Sequence, residues 1–105
     1  MTTVKFLADK GLLVGFEISG HSSQNFEDLE GKLVCSAISS AAFLCANTIS
    51  DVIKDKITAQ VEDGYMSIRV ATPTEASLQL LKGFRLHIKE LKEQFSNRIK
   101  IITEV

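Results

Sequence analysis

The chain of 105 residues holds two cysteines and two histidines, and one pair of them can do nucleophilic chemistry together: Cys35 and His21. A thiol becomes a nucleophile as its thiolate, so it needs a proton acceptor or an imidazolium partner within hydrogen-bond reach. Cys35 falls near the start of a helix-patterned segment, just after a polar stretch that ends in Gly31. If the helix begins at about Leu33, the unpaired amides of its first turn favour an anion at Cys35. The amides of Cys35 and Ser36 could then hold an oxyanion on an attacked carbonyl. His21 precedes Cys35 by fourteen positions and ends a predicted strand after Gly20. Spacing alone leaves the plainer reading open, because a lone Cys in a helix is more often a small buried hydrophobe and dyads are spatial, not sequential.

The elements that must position this pair follow from the hydropathy pattern. Val4 to Ala8 and Leu12 to Ser19 are predicted strands around the turn Asp9-Lys10-Gly11, with Gly15 marking a bulge or a close approach. Ser22 to Gly31 is polar and aperiodic and is predicted as a loop. From about Leu33 to Lys54 the residues Val34, Ile38, Ala41, Cys45, Ile49 and Val52 form one apolar stripe at helical spacing. Ile57 to Val61 and Tyr65 to Ala71 are predicted to pair through Asp63-Gly64 in a type I′ turn. Thr72 is the expected N-cap of a second helix, with Pro73 at its first position and Glu75 as capping-box partner. That helix buries Leu80, Phe84, Ile88, Leu91 and Phe95, stops near Asn97, and Arg98 to Thr103 follows as a last strand. The order β-β-α-β-β-α-β implies an α+β fold, a mostly antiparallel sheet with two long helices packed on it, in a single domain spanning residues 1–105.

Two short motifs carry a resemblance. Gly20-His21-Ser22 and Leu33-Val34-Cys35-Ser36-Ala37-Ile38-Ser39 resemble the paired signature of the ribosomal-processing cysteine protease family, Prp. The likeness extends over nearly the whole chain through its length, its order of elements and the hairpin Asp63-Gly64-Tyr65-Met66. It implies a Cys–His dyad at Cys35 and His21. It also implies a small bacterial homodimer whose substrate is the N-terminal extension of a large-subunit ribosomal protein, the twenty-seventh. Gly20, Ser36 and Ser39 are the supporting or oxyanion candidates, Ser39 lying one helical turn from Cys35. Ser22, Asp28, Glu30, Gly31 and Lys32 are the candidates for a substrate loop, which the resemblance implies to be mobile and to order around substrate.

The chain departs from the family pattern at Lys32, where many members have an Asp three residues before the Cys. The third, orienting position therefore stays open, and Asp28 or Glu30 is a replacement only if it is not simply solvated. That departure keeps alive a second reading, a non-catalytic ribosome-associated binding module of the same fold. A redox-sensing thiol is a third reading, but it needs a resolving cysteine, and Cys45 falls elsewhere on the helix, on the stripe expected to be core. His87 is read as a surface or boundary residue, with a dimer contact as the other option.

Bulk properties exclude further classes. A net charge of −1 with scattered Lys and Arg gives no basic strip for nucleic acid, and none is expected as a direct partner. No signal-peptide pattern opens the sequence, and the weakly polar stretch Ser36 to Ile49 is shorter than the roughly 20 residues that span a bilayer. The reading is a cytoplasmic chain with reduced thiols and no membrane partner. The Cys and His residues show no ligand spacing, so neither a metal nor another cofactor is expected.

Overall fold

The computed structural model describes residues 1–21 and 27–103. Its elements are β1 (Thr2–Asp9), β2 (Leu12–Ser19), α1 (Leu29–Asn47), β3 (Ile57–Glu62), β4 (Tyr65–Val70), α2 (Glu75–Gln94) and β5 (Ile99–Thr103), with a π-helical turn, Thr48–Ile53, continuing α1. The five strands form one sheet in the order β3-β4-β2-β1-β5. Only β5 runs parallel to its neighbour, β1. The fold is thus the expected α+β arrangement, with a mixed and mostly antiparallel sheet.

Register explains the core. Phe6 pairs with Phe16, and Phe16 with Ile68; Val4 pairs with Ile18, and Ile18 with Met66. Residues in register across a sheet point to the same face, so these side chains form two apolar rows. Val34, Ile38, Ala42 and Cys45 of α1 close over them, together with Leu81, Phe84 and Ile88 of α2. Phe84 sits tilted against Phe16 at 4.5 Å between ring centroids and edge-on to Phe6 at 6.0 Å. This anchors the second helix over the β1–β2 pair.

Lys10 and Gly11 both take positive φ (53° and 80°), so the type I′ turn lies here. At the β3–β4 hairpin the expectation of type I′ fails: among the described residues of that turn only Gly64 has positive φ (74°). Gly at the second position alone is the type II pattern, which spares Asp63 the left-handed region. Gly15 proves to be a close approach, since a β-carbon there would lie 2.0 Å from Ile68 O. The bulge lies beside it: Leu7 pairs with Gly15 and Ala8 with Leu13, which leaves Val14 as the extra residue.

Both helices start at a side-chain cap on the residue before them. α1 begins at Leu29, not Leu33, because the Asp28 carboxylate accepts from Gly31 N at 3.1 Å. Leu29 to Gly31, expected in the loop, are therefore helical. The stripe also shifts. Ala42 and Ala46 are buried, whereas Val52, inside the wider π turn and so off the α-helical register, is 74% exposed. Lys54 in the left-handed conformation (φ 69°, ψ 32°) ends that turn, and Asp55 N donates back to Ile49 O at 3.0 Å.

α2 is capped by Thr74, not Thr72, and Glu75 is its first residue. Asp55 selects this start: its carboxylate accepts from Thr74 N at 2.9 Å, Thr74 Oγ1 at 2.8 Å and Ser77 Oγ at 2.6 Å. One side chain after the π turn thereby satisfies the first turn of the next helix. α2 ends at Gln94 with Leu81, Phe84, Ile88 and Leu91 buried, and Leu80 and Phe95 only half-buried.

Candidate active site

A cleft of about 350 Å³ opens where the first half of α1, the end of β2 and the β3–β4 turn meet. Cys35, Ser36 and Ser39 line it from α1, Gly20 and His21 from the end of β2, and Asp63, Gly64 and Tyr65 from the turn. The structure therefore brings together the thiol and the imidazole that lie fourteen residues apart in sequence. Cys35 is half-buried, while His21, Ser36 and Ser39 are exposed.

The main chain around His21 is held on two sides. Gly20 has φ +83°, and a β-carbon there would lie 2.6 Å from Met1 O, so the strand can turn toward the cleft only at a glycine. Gly20 N donates to Gly64 O at 3.1 Å, and the Met1 nitrogen donates to His21 O at 2.8 Å. The outer edge of the imidazole faces Gly64 across the turn.

The early start of α1 changes the surroundings of Cys35. The first-turn donors are used locally: Leu29 N donates to Glu27 O, Gly31 N to Asp28 Oδ1, and Lys32 N to Asp28 O at 3.1 Å. Cys35 lies in the second turn, where main-chain N–H groups bond the carbonyls four residues back. The expectation that Cys35 occupies the helix start is thereby corrected. The amides of Cys35 and Ser36 belong to the helix ladder and do not project as oxyanion donors; Ser36 and Ser39 nonetheless line the cleft.

The loop candidates separate. Ser22 lies outside the described residues, as does the whole of 22–26. Asp28 forms an ion pair with Arg98, whose Nε also lies 3.4 Å from Glu30 Oε1. The hydrogen bond that it donates to Asp28, foremost, holds the Arg98 guanidinium above its ordinary range. Both acidic residues are thus committed to the entrance of β5, and Arg98 O accepts from Thr2 N at 2.9 Å in the same corner. Gly31 is buried in the first turn and Lys32 is exposed; neither lines the cleft.

Cys45 is buried in the core, and loss of hydration pushes its thiol up to about 11. It therefore stays protonated and inert at neutral pH. His87 is exposed on α2. Three contributors escaped the sequence: the β3–β4 turn as a cleft wall, Phe43 beside Ser39, and Arg98 as the clasp on α1. The Asp63-Gly64 dipeptide was a visible turn signal, but its place beside His21 depends on β4 pairing with β2.

A thiol and an imidazole on the walls of one cleft, carried on this sheet-and-helix frame, suit the cysteine-protease class. The model of the family described as Cysteine protease Prp matches residues 1–100, so the chain belongs to the Prp family of cysteine proteases. Solved structures agree on the fold. SMU.848 from Streptococcus mutans is 26% identical and superposes with a TM-score of 0.83, covering 99% of this chain and 96% of that one. The essential ribosomal processing protease Prp from S. aureus was solved with a covalently linked product peptide (21% identity, TM-score 0.83) and with a substrate peptide (18% identity, TM-score 0.86). Each of these comparisons covers 99% of this chain and 100% of the other. No curated protein matches the chain.

Proposed function

We propose that this protein is a cysteine endopeptidase that removes the N-terminal extension of a large-subunit ribosomal protein, the twenty-seventh, in a bacterial cytoplasm. The observation that carries the reading is the shared cleft of His21 and Cys35. Family membership supplies the chemistry, and the S. aureus relative, a ribosomal processing protease crystallised with peptides, supplies the substrate class.

His21 takes the Cys35 proton, and the thiolate adds to the scissile carbonyl. The tetrahedral adduct collapses as His21 returns the proton to the leaving amine, which is the new N-terminus of the mature protein. The extension remains as a thioester on Cys35. His21 then takes a proton from water, the resulting hydroxide attacks the thioester, and the thiol is restored. Ser39, one turn from Cys35 on the same wall, supports the site, and the Ser36 hydroxyl is the nearest side-chain donor in sequence. No cofactor enters any step.

The chain acts as a homodimer in this reading. Leu33, Leu44 and Val52 on the outside of the first long helix and its π turn are 59%, 68% and 74% exposed, an apolar strip that a second copy would cover. Sedimentation over a concentration series tests this, and a monomer at all concentrations would contradict it.

Lys32, standing where many relatives have an Asp, favours the second reading of a binding module without turnover. Incubating the protein with a peptide that spans the extension, and weighing the products by mass spectrometry, separates the two. The protease reading expects one cut by the wild type and none by Cys35→Ala. Tight binding with the peptide left intact would favour the module.

A further inference from the structure

A β-carbon built on Gly64 would stand 2.9 Å from Nε2 of His21, 3.5 Å from Cε1 and 3.6 Å from Cδ2. These three atoms are the outer edge of the imidazole, so the ring rests on the face of the turn that glycine leaves bare. A β-carbon is fixed to the main chain and has no rotamer by which to withdraw. Any side chain at position 64 would therefore push the ring away from its present seat.

The main chain that carries the ring is held against the turn. Gly20 N donates to Gly64 O at 3.1 Å, so the residue before His21 is bonded to the residue beneath its ring. On the other side the Met1 nitrogen holds His21 O at 2.8 Å. The positive φ of Gly64 (+74°) explains a glycine there by turn geometry alone. The seat of the imidazole is a second, separate reason, and the two can be told apart.

We propose that Gly64 is a positioning residue for His21: its missing side chain gives the imidazole its seat, and the Gly20–Gly64 hydrogen bond sets the distance. The proposal deepens the protease reading and rests on His21 being the base for Cys35. Gly11 supplies the control. It has φ +80° in the β1–β2 turn, yet a β-carbon there would meet nothing within 4 Å. Gly64→Ala and Gly11→Ala thus carry the same kind of backbone strain, and only the first touches the ring.

The experiment compares the imidazole resonances of His21 in the two variants by NMR, with His87→Gln used for assignment, and measures kcat and KM on the extension peptide. Gly64→Ala is expected to move the His21 resonances and to lower kcat about tenfold or more through misplacement of the base, with KM within about twofold. Gly11→Ala should leave both as in the wild type while losing a similar amount of thermal stability. Gly64→Asn, which tolerates the left-handed backbone yet adds the same β-carbon, should act like Gly64→Ala and serves if the alanine variant folds poorly. His21 resonances unmoved by substitution at position 64, or a kcat no lower than that of Gly11→Ala, would overturn the proposal. Failure of the wild type to cleave would count against the protease reading alone, because the resonances report the seat without substrate.

Discussion

Cys35 stands seven residues beyond Asp28, the residue that caps α1. The field of a helix terminus falls off within the first turn, so at this depth it does little for a thiol. In the proposed chemistry the activation of Cys35 therefore falls to His21, which lines the same cleft.

The Asp28 cap is open to test by itself. Asp28→Ala removes the bond to Gly31 N and leaves the first turn of α1 uncapped, at a cost of about 1–2 kcal/mol. Asp28→Asn keeps a capping oxygen and should retain most of that stability. Denaturant melts of the three proteins check the order wild type, Asn, Ala; equal losses in the two variants would assign the effect to the Arg98 ion pair instead.

Asp55 gives the fold a defined response to acid. Bonds from Ser77 and Thr74, with Ser77 the larger influence, hold its carboxyl below the ordinary carboxylate value. A depressed folded-state value means stability that is present above the unfolded value, near 3.9, and lost as pH falls through the folded one. Thermal melts between pH 5 and pH 2 should show this slope in the wild type, and Asp55→Asn should flatten it below about pH 4.

Gly83 lies inside α2 and is exposed, with nothing within 4 Å of a built β-carbon. Replacing it with alanine should stabilise the protein by about 0.5–1 kcal/mol, through the helix preference of alanine and a less free unfolded chain. A higher melting temperature with unchanged cleavage is the expected result.

Cys35→Ser should be nearly as inactive as Cys35→Ala, because a hydroxyl is a far poorer nucleophile beside an imidazole base. Circular dichroism should show both variants folded, as Cys35 is only half-buried. Serine activity within about tenfold of the wild type would argue against thiolate chemistry.

Much of this arrangement was legible in sequence, because period-2 and helical patterns record which face meets the core. Phe84, Ile88 and Leu91 were on the expected stripe, and the motifs around His21 and Cys35 indicated the pair that the cleft brings together. Tertiary contacts decided the rest. The local pattern points to Thr72 as the cap, ahead of Pro73; Asp55, nineteen residues before Thr74, moves the cap to Thr74. Asp28-Leu29-Glu30-Gly31 reads as a polar loop until Arg98, seventy residues beyond Asp28, pairs with its acidic side chains. Gly64 faces His21 only because β4 lies beside β2, a neighbour relation that no local pattern encodes.

Iodoacetamide labelling at neutral pH, followed thiol by thiol in the wild type and in His21→Ala, tests the central claim that His21 activates Cys35. Cys45, buried and pushed up to about 11, is the internal reference for an inert thiol. The expected result is rapid modification of Cys35 and almost none of Cys45 in the wild type, with the Cys35 rate falling at least about tenfold when His21 is removed. Equal, slow labelling of both thiols, or a Cys35 rate unaffected by His21→Ala, would contradict it.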